Sequence, residues 1–131
     1  MRVEDARVAR LATVGADGRP HVVPICFALA GSTLYTAVDA KPKRTRRLRR
    51  LANVESNQWV EVVVDDYDED WSRLWWVRLA GRGRVVERDE RALELLAAKY
   101  PQYRREPPAG PFVVVEIERR VEWRAGVGPA A

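Results

Sequence analysis

Arg10–Val38, RLATVGADGRPHVVPICFALAGSTLYTAV, reads as three extended runs separated by turn residues, and that reading decides the fold. Arg10–Val14 is the first run. Gly15-Ala16-Asp17-Gly18 follows, and an Asp-Gly pair is a strong hairpin signal. His21–Leu29 is the second run, interrupted at Pro24. Proline has no N–H to give a ladder, so this strand is expected at a sheet edge or bulged there. Ala30-Gly31-Ser32 turns the chain into a third run, Thr33–Val38. Three strands joined by tight turns predict an antiparallel meander.

Outward from this stretch the pattern continues. Residues 2–9 are read as a short lead-in helix. Lys43–Ala52 has helical composition, with Lys43, Arg46, Arg47 and Arg50 on one arc and Leu48 and Leu51 on a face that can pack on the sheet. Trp59–Asp65 is a strand with Val60, Val62 and Val64 on one side. Asp65–Asp70 is an acidic loop read as a solvated turn. Leu74–Glu87 is a long strand or a pair of strands, and Gly81 and Gly83 predict a bulge or sharp bend within it. Glu90–Tyr100 is an amphipathic helix, capped by Asp89, burying Leu93, Leu96, Ala97 and Tyr100, and stopped by Pro101. Phe112–Ile117 is a last core strand. Six or seven short strands with closely spaced turns and two helices point to a mainly β barrel.

The chain of 131 residues suggests one domain, 1–131. It carries 23 Lys and Arg against 19 Asp and Glu, a net charge of only +4. Its basic character is therefore local. Seven of the ten residues from Lys41 to Arg50 are Lys or Arg. Seven like charges repel one another on a helix, so an anionic partner is expected there. The N-terminus lacks the apolar core of a signal peptide, and no apolar run approaches the roughly 20 residues that span a bilayer. A cytoplasmic protein without membrane contact is expected.

Side chains for protein-borne catalysis are sparse. His21 is the single histidine, and it is read as satisfied or surface-lying. Cys26, the single cysteine, lies between Ile25 and Phe27 and is read as core. One His and one Cys do not make a standard transition-metal site, and no catalytic side chain is assigned. Redox chemistry by this chain would come from a cofactor. Of Trp71, Trp75 and Trp76, at least two are read as packing in the core or at a dimer interface, and one as a platform for a flat ring. Nucleic acid is disfavoured, because the aromatics are not interleaved with the basic run and an acidic loop adjoins the tryptophans.

Residues 8–44, VARLATVGADGRPHVVPICFALAGSTLYTAVDAKPKR, then Asn53 and Asn57 in N-x-x-x-N, then residues 70–86, DWSRLWWVRLAGRGRVV, together resemble the pyridoxamine 5'-phosphate oxidase-like split β-barrel flavoproteins. Within that superfamily the sequence looks most like the actinobacterial branch of deazaflavin (coenzyme F-420) enzymes. The likeness covers about residues 6–124. It implies a six-stranded antiparallel split β-barrel of the FMN-binding type with two or three short helices, working as a homodimer with cofactor sites between subunits. It places the cofactor ring along Val23, Pro24, Tyr35 and Thr36, with basic residues after the third strand on its phosphate. Trp76 and Arg78 stand where relatives carry a Gln-x-Arg that approaches the ring from the partner chain. Trp123-Arg124 resembles a region that closes the site in relatives. Relatives often carry Lys-x-x-Asn-Leu before an Asn/Asp-Pro pair, and here Gln58 stands where that proline is usual; the lysine falls on Arg50 counting back from Asn57-Gln58, and on Lys43 or Arg44 counting forward from the strand.

One phosphate does not need seven cations, whereas the oligoglutamate tail of F-420 would use them. The expectation is an F-420-dependent oxidoreductase transferring hydride to or from a small organic molecule. Lys41, Lys43, Arg44, Arg47 and Arg50 would hold phosphate and tail, and Trp76 and Arg78 would shape the ring pocket. The same fold with FMN, and an F-420 carrier without turnover, are the alternatives.

Overall fold

A computed structural model describes residues 2–38 and 48–126. Seven strands form one antiparallel sheet, in the order β2-β1-β5-β6-β7-β4-β3. The strands are β1 (Ala9–Val14), β2 (Pro20–Ile25), β3 (Ala28–Ala30), β4 (Thr33–Ala37), β5 (Trp59–Asp66), β6 (Trp75–Val86) and β7 (Phe112–Arg124). The helices are α1 (Arg49–Ser56), α2 (Glu90–Lys99) and α3 (Pro101–Arg105). The mainly β antiparallel barrel expected from the sequence is what the chain builds.

Alternation drives the sheet to curl. On β5, Val60, Val62 and Val64 are buried while Trp59 and Asp65 face out. β-branched side chains at every second position favour extended backbone and supply one continuous apolar face. That face meets Leu11, Ile25, Phe27, Leu34, Val77, Leu79, Val113 and Val115 in a single core. From one end, Leu51 and Val54 of α1 plug it, with Leu48 packed alongside, as the helical periodicity predicts. The Asp17-Gly18 turn forms as expected. Gly18 takes φ +82°, and Asp17 Oδ1 accepts from the Arg19 N–H at 3.0 Å.

The expected meander is not what the first strands form. β1–β2 and β3–β4 are hairpins at opposite edges of the sheet. The second run breaks at Cys26-Phe27, so β2 ends at Ile25 and β3 starts at Ala28. Two edges joined by two residues cannot lie more than about 11 Å apart at that point, since each Cα step is 3.8 Å. The sheet must therefore wrap until its edges meet, which makes this break the seam of the barrel. Pro24 does lie on an edge strand, opposite Arg10.

The C-terminal end of α2 seals the seam. Tyr100 Oη accepts from the Phe27 N–H at 3.1 Å and donates to the Arg7 carbonyl at 2.9 Å. Lys99 Nζ donates to the Phe27 carbonyl at 2.9 Å. From β4, Thr36 Oγ1 donates to the Cys26 carbonyl at 2.7 Å. Neither broken strand could otherwise pair these backbone groups in a part-buried place. α2 is anchored at its other end as predicted, Asp89 Oδ1 accepting from the Ala92 N–H at 2.9 Å. It lays Ala92 and Leu96 on Ala28 and Phe112, with Leu93, Tyr100 and Tyr35 around them.

Several boundaries differ from the sequence reading. The lead-in is a single 3₁₀ turn, Val3–Asp5. The first helix runs on past Ala52 to Ser56, and its expected start at Lys43 lies outside the described residues. Pro101 ends α2 but opens α3, because its fixed φ and missing N–H suit a first helical position. β7 continues beyond Ile117 to Arg124. Pairing with β6 holds it, across a bulge where Ala80 faces Arg119 but Gly81 faces Ile117. Glu118 is the extra residue, tied to Arg82 at 2.9 Å. A Cβ on Gly81 would sit 2.0 Å from the Glu116 carbonyl oxygen, which is why this close approach needs glycine.

Candidate functional site

Among the described residues, the outside of the barrel has a covered and an uncovered part. α2 covers β3, β4 and the start of β7. On the opposite side, strand pairing aligns Pro24 (β2), Arg10 (β1), Val63 (β5), Arg78 (β6) and Val121 (β7) in one row across five strands. Residues paired across a ladder point to the same face, so these side chains share one outer surface. Asp65, Trp76 and Trp123 form the next row on one side, and Ala12, Glu61, Ala80 and Arg119 the next on the other. The bulge at Glu118 matters here. It shifts the phase of β7 by one, so Arg119, Val121 and Trp123 face outward with Ala80, Arg78 and Trp76.

This surface is grooved on both sides of Arg78. One lobe, lined by Arg10, Val63, Asp65, Trp76 and Arg78, has a volume of about 370 Å³. The other, lined by Trp59, Glu61, Arg78, Ala80, Arg119 and Val121, has about 330 Å³. Arg78 lies over the Trp76 indole, 5.3 Å from the ring centroid, and 3.8 Å from Glu61 Oε1. Arg10 bonds Asp65 Oδ1 at 3.0 Å. Trp59 Nε1 donates to Glu61 Oε2 at 3.4 Å. Flat indoles, short aliphatics and guanidinium groups can hold a planar, partly anionic molecule by stacking and charge-assisted hydrogen bonds.

Of the residues picked out in the sequence, Pro24, Trp76 and Arg78 are brought to this one surface. Tyr35 is half-buried against α2. Thr36 is buried, its hydroxyl committed to the Cys26 carbonyl. Tyr35 lies on the part of the outside that α2 covers and Thr36 is on the inner face, so within one chain neither stands beside Arg78. Arg50 sits half-buried in the first turn of α1, and Lys41, Lys43, Arg44 and Arg47 lie outside the described residues.

Other single residues depart from their sequence reading. Cys26 is exposed, not core. In extended backbone neighbours point to opposite sides, and with Ile25 and Phe27 buried the thiol must face out. His21 is half-buried, and its buried Nδ1 finds no hydrogen-bond partner among the described residues. Among the tryptophans, Trp75 is core, Trp76 half-buried, and Trp71 is 68% exposed, donating to Tyr67 Oη at 3.3 Å. Asp70 caps the 3₁₀ turn Trp71–Arg73, and hydrogen bonds from the Ser72 hydroxyl and N–H hold its carboxyl below the usual range. Sequence reasoning missed Arg119 and Val121, which only the bulge brings to the groove. It also missed the Asn53 side chain, which is buried and donates to Thr13 Oγ1 at 3.0 Å.

A family model for pyridoxamine 5'-phosphate oxidase matches residues 2–123. The chain belongs to that family. A 5a,11a-dehydrotetracycline/5a,11a-dehydrooxytetracycline reductase of Streptomyces rimosus subsp. rimosus is 40% identical over 57 residues, which is 44% of this chain and 39% of that protein. The matched region is thus well under half of the curated relative. The fold recurs in an FAD binding protein from Mycobacterium smegmatis, with TM-score 0.62 and 22% identity, covering 94% of this chain and 89% of that one. A heme binding protein from the same species superimposes with TM-score 0.75 and 16% identity, covering 97% of this chain and 52% of the other. Among the described residues, no helix is long and apolar enough to cross a membrane.

Proposed function

We propose that this chain is an oxidoreductase that uses a flavin-type coenzyme, F-420 in particular, to exchange hydride with a small organic substrate, and that it acts as a homodimer. The observation that carries this reading is the row Pro24–Arg10–Val63–Arg78–Val121 with Trp76 beside it. It is a grooved sheet face, uncovered among the described residues, with one indole and two guanidinium groups, and it runs to the edge strand β2. Family membership and the resemblance to a reductase add support for redox chemistry.

The donor set fits a flavin or deazaflavin better than a haem. Iron needs an axial His, Cys, Met or Tyr, and among the described residues neither lobe is lined by one. A tricyclic ring asks instead for flat apolar walls and hydrogen-bond donors, which Trp76, Val63 and Arg78 offer. F-420 is preferred over FMN because seven basic residues lie between Lys41 and Arg50. Lys41, Lys43, Arg44, Arg47 and Arg50 are assigned to phosphate and tail, and Pro24, Tyr35, Thr36, Trp76 and Arg78 to the ring. Tyr35 and Thr36 would join the others only across two subunits, which is one reason to propose the dimer. When bound, the coenzyme would supply or accept the hydride, which carries both electrons. The chain's part is to orient the ring, exclude water from the groove and neutralise charge through its arginines.

Fluorescence titration of the purified protein with F-420, FMN and haem is the test. F-420 is expected to bind at micromolar concentration or below, and roughly ten-fold or more tighter than FMN, about 1.4 kcal/mol. Tighter FMN binding would transfer the reading to a flavin enzyme. Binding of haem alone would end it. Oxidation of the reduced coenzyme by a panel of enones and quinones separates an enzyme from a carrier.

A further inference from the structure

We infer that the lobe between β5, β6 and β7 is the substrate side of the groove, and that it takes a planar organic molecule bearing an acidic group, held by Arg119. The inference deepens the redox reading above and rests on it for the word substrate. The binding chemistry itself rests on the lobe.

Of the arginines on β6 and β7, Arg119 and Arg124 have no carboxylate within 4.0 Å among the described residues, and Arg124 lies over the Trp75 indole instead. Arg78, Arg82, Arg84 and Arg120, the others on these strands, each have a carboxylate within 4.0 Å, from Glu61, Glu118, Glu116 and Glu122. Arg10 has Asp65. Among the described residues Arg119 has none, yet it lines the lobe of about 330 Å³. The one carboxylate in that lobe, Glu61, is already engaged by Arg78 and by the Trp59 indole N–H. The lobe therefore presents one uncompensated guanidinium, a fork suited to a carboxylate, a phosphate or an enolate.

Its walls set the shape of the rest of the ligand. Trp59 contributes an indole face, 39% exposed and tethered through Glu61. Ala80 leaves the floor low, and Val121 closes the far side. A flat ring can slide over Ala80 between Trp59 and Val121 with its acidic substituent toward Arg119 and its other end toward Arg78, which both lobes share. A volume near 300 Å³ suits one or two fused rings. The bulge at Glu118 places Arg119 on this face; without it the guanidinium would belong to the other side of β7.

Calorimetric titration of the full chain with 2-naphthoate and with the neutral 2-naphthylmethanol tests this, alongside titration with F-420 and FMN. The acid is expected to bind about ten-fold or more tighter than the alcohol, as one charge-assisted contact predicts. Arg119→Met should bring the two within about two-fold, Arg119→Lys should keep part of the preference, and neither should change coenzyme affinity. Trp59→Ala should weaken acid and alcohol alike. Equal binding of acid and alcohol by the wild type, no binding of the acid, or an acid preference that survives Arg119→Met overturns the inference. So does loss of the coenzyme in Arg119→Met, which would give the lobe to the coenzyme. If the acid preference depends on Arg119 while neither coenzyme binds, the redox reading fails and the anion subsite stands.

Discussion

Lys99 and Tyr100 show how two adjacent residues can pull stability in opposite directions with pH. Burial, helped by the Arg7 guanidinium, lowers Lys99 from 10.5 to about 8, with Asp5, Glu4 and Cys26 opposing. Its ammonium lies 3.7 Å from the Phe27 ring centroid, which offsets only part of the lost hydration. Burial raises Tyr100 from 10.0 to about 12, against its hydrogen bond to Phe27. Between about pH 8 and 10.5 the unfolded chain still holds a proton on Lys99 that the folded chain has released, so this residue makes stability rise with pH. From pH 10.0 to about 12 the folded chain keeps the Tyr100 proton that the unfolded chain loses, so stability falls. Urea denaturation across pH 7–11 should therefore show the rise blunted in Lys99→Met and the fall blunted in Tyr100→Phe. Identical slopes in wild type and Lys99→Met would mean the amine does not titrate in that window.

The bulge on β7 is the element on which the groove depends. Gly81→Ala puts a methyl group 2.0 Å from the Glu116 carbonyl oxygen, which backbone cannot absorb without moving. The expected cost is about 3 kcal/mol in urea denaturation, at the upper end of overpacking effects. A loss below about 0.5 kcal/mol would show that β6 and β7 can slide apart there. Elements whose pattern repeats were legible in the sequence. The valines of β5, the Asp89 cap of α2 and the Asp17-Gly18 turn all appear where residue type demands them, and the irregularity expected at Gly81 is present, although its extra residue lies on β7. What was not legible depends on a single residue of offset. Glu118 looks like any exposed strand residue, yet it reverses the phase of everything after it. Cys26-Phe27 carries no turn signal, and its role as a seam follows only from where the edges of the sheet fall. The same cause split the site. Trp76 and Arg78 stand in a recognisable motif, whereas Arg119 reaches the groove through a bulge that residue type does not announce.

At the scale of the molecule, the two sides of the barrel are unequal. α2 covers one, while the other leaves Val63, Trp76, Val121 and Trp123 half-buried on an open sheet face, with Trp59 more exposed still. A second copy of the chain is the proposed cover. Sedimentation at about 50 µM should give a particle twice 14.9 kDa, since an interface of standard size holds well at that concentration. Trp123→Glu places a charge opposite Trp76 and should give monomers with an unchanged circular dichroism spectrum. A wild-type monomer would remove the dimer from the proposed function and, with it, any meeting of Tyr35 with Trp76.

The seam also sets a timetable for the nascent chain. Beyond its hairpin partner β3, β4 finds its second neighbour in β7, pairing Thr33 with Glu116 and Ala37 with Phe112. Until those late residues leave the ribosome, the β3–β4 hairpin has no sheet to join. Its partner edge at β2 can already be paired with β1. Loop-closure entropy makes such distant contacts late and slow. For most of synthesis the molecule is thus an open sheet with two unguarded borders, joined through Cys26-Phe27 but not yet brought together. Thr36 can hold the Cys26 carbonyl within the hairpin from early on, whereas Tyr100 and Lys99 fasten the junction only after α2 has been made.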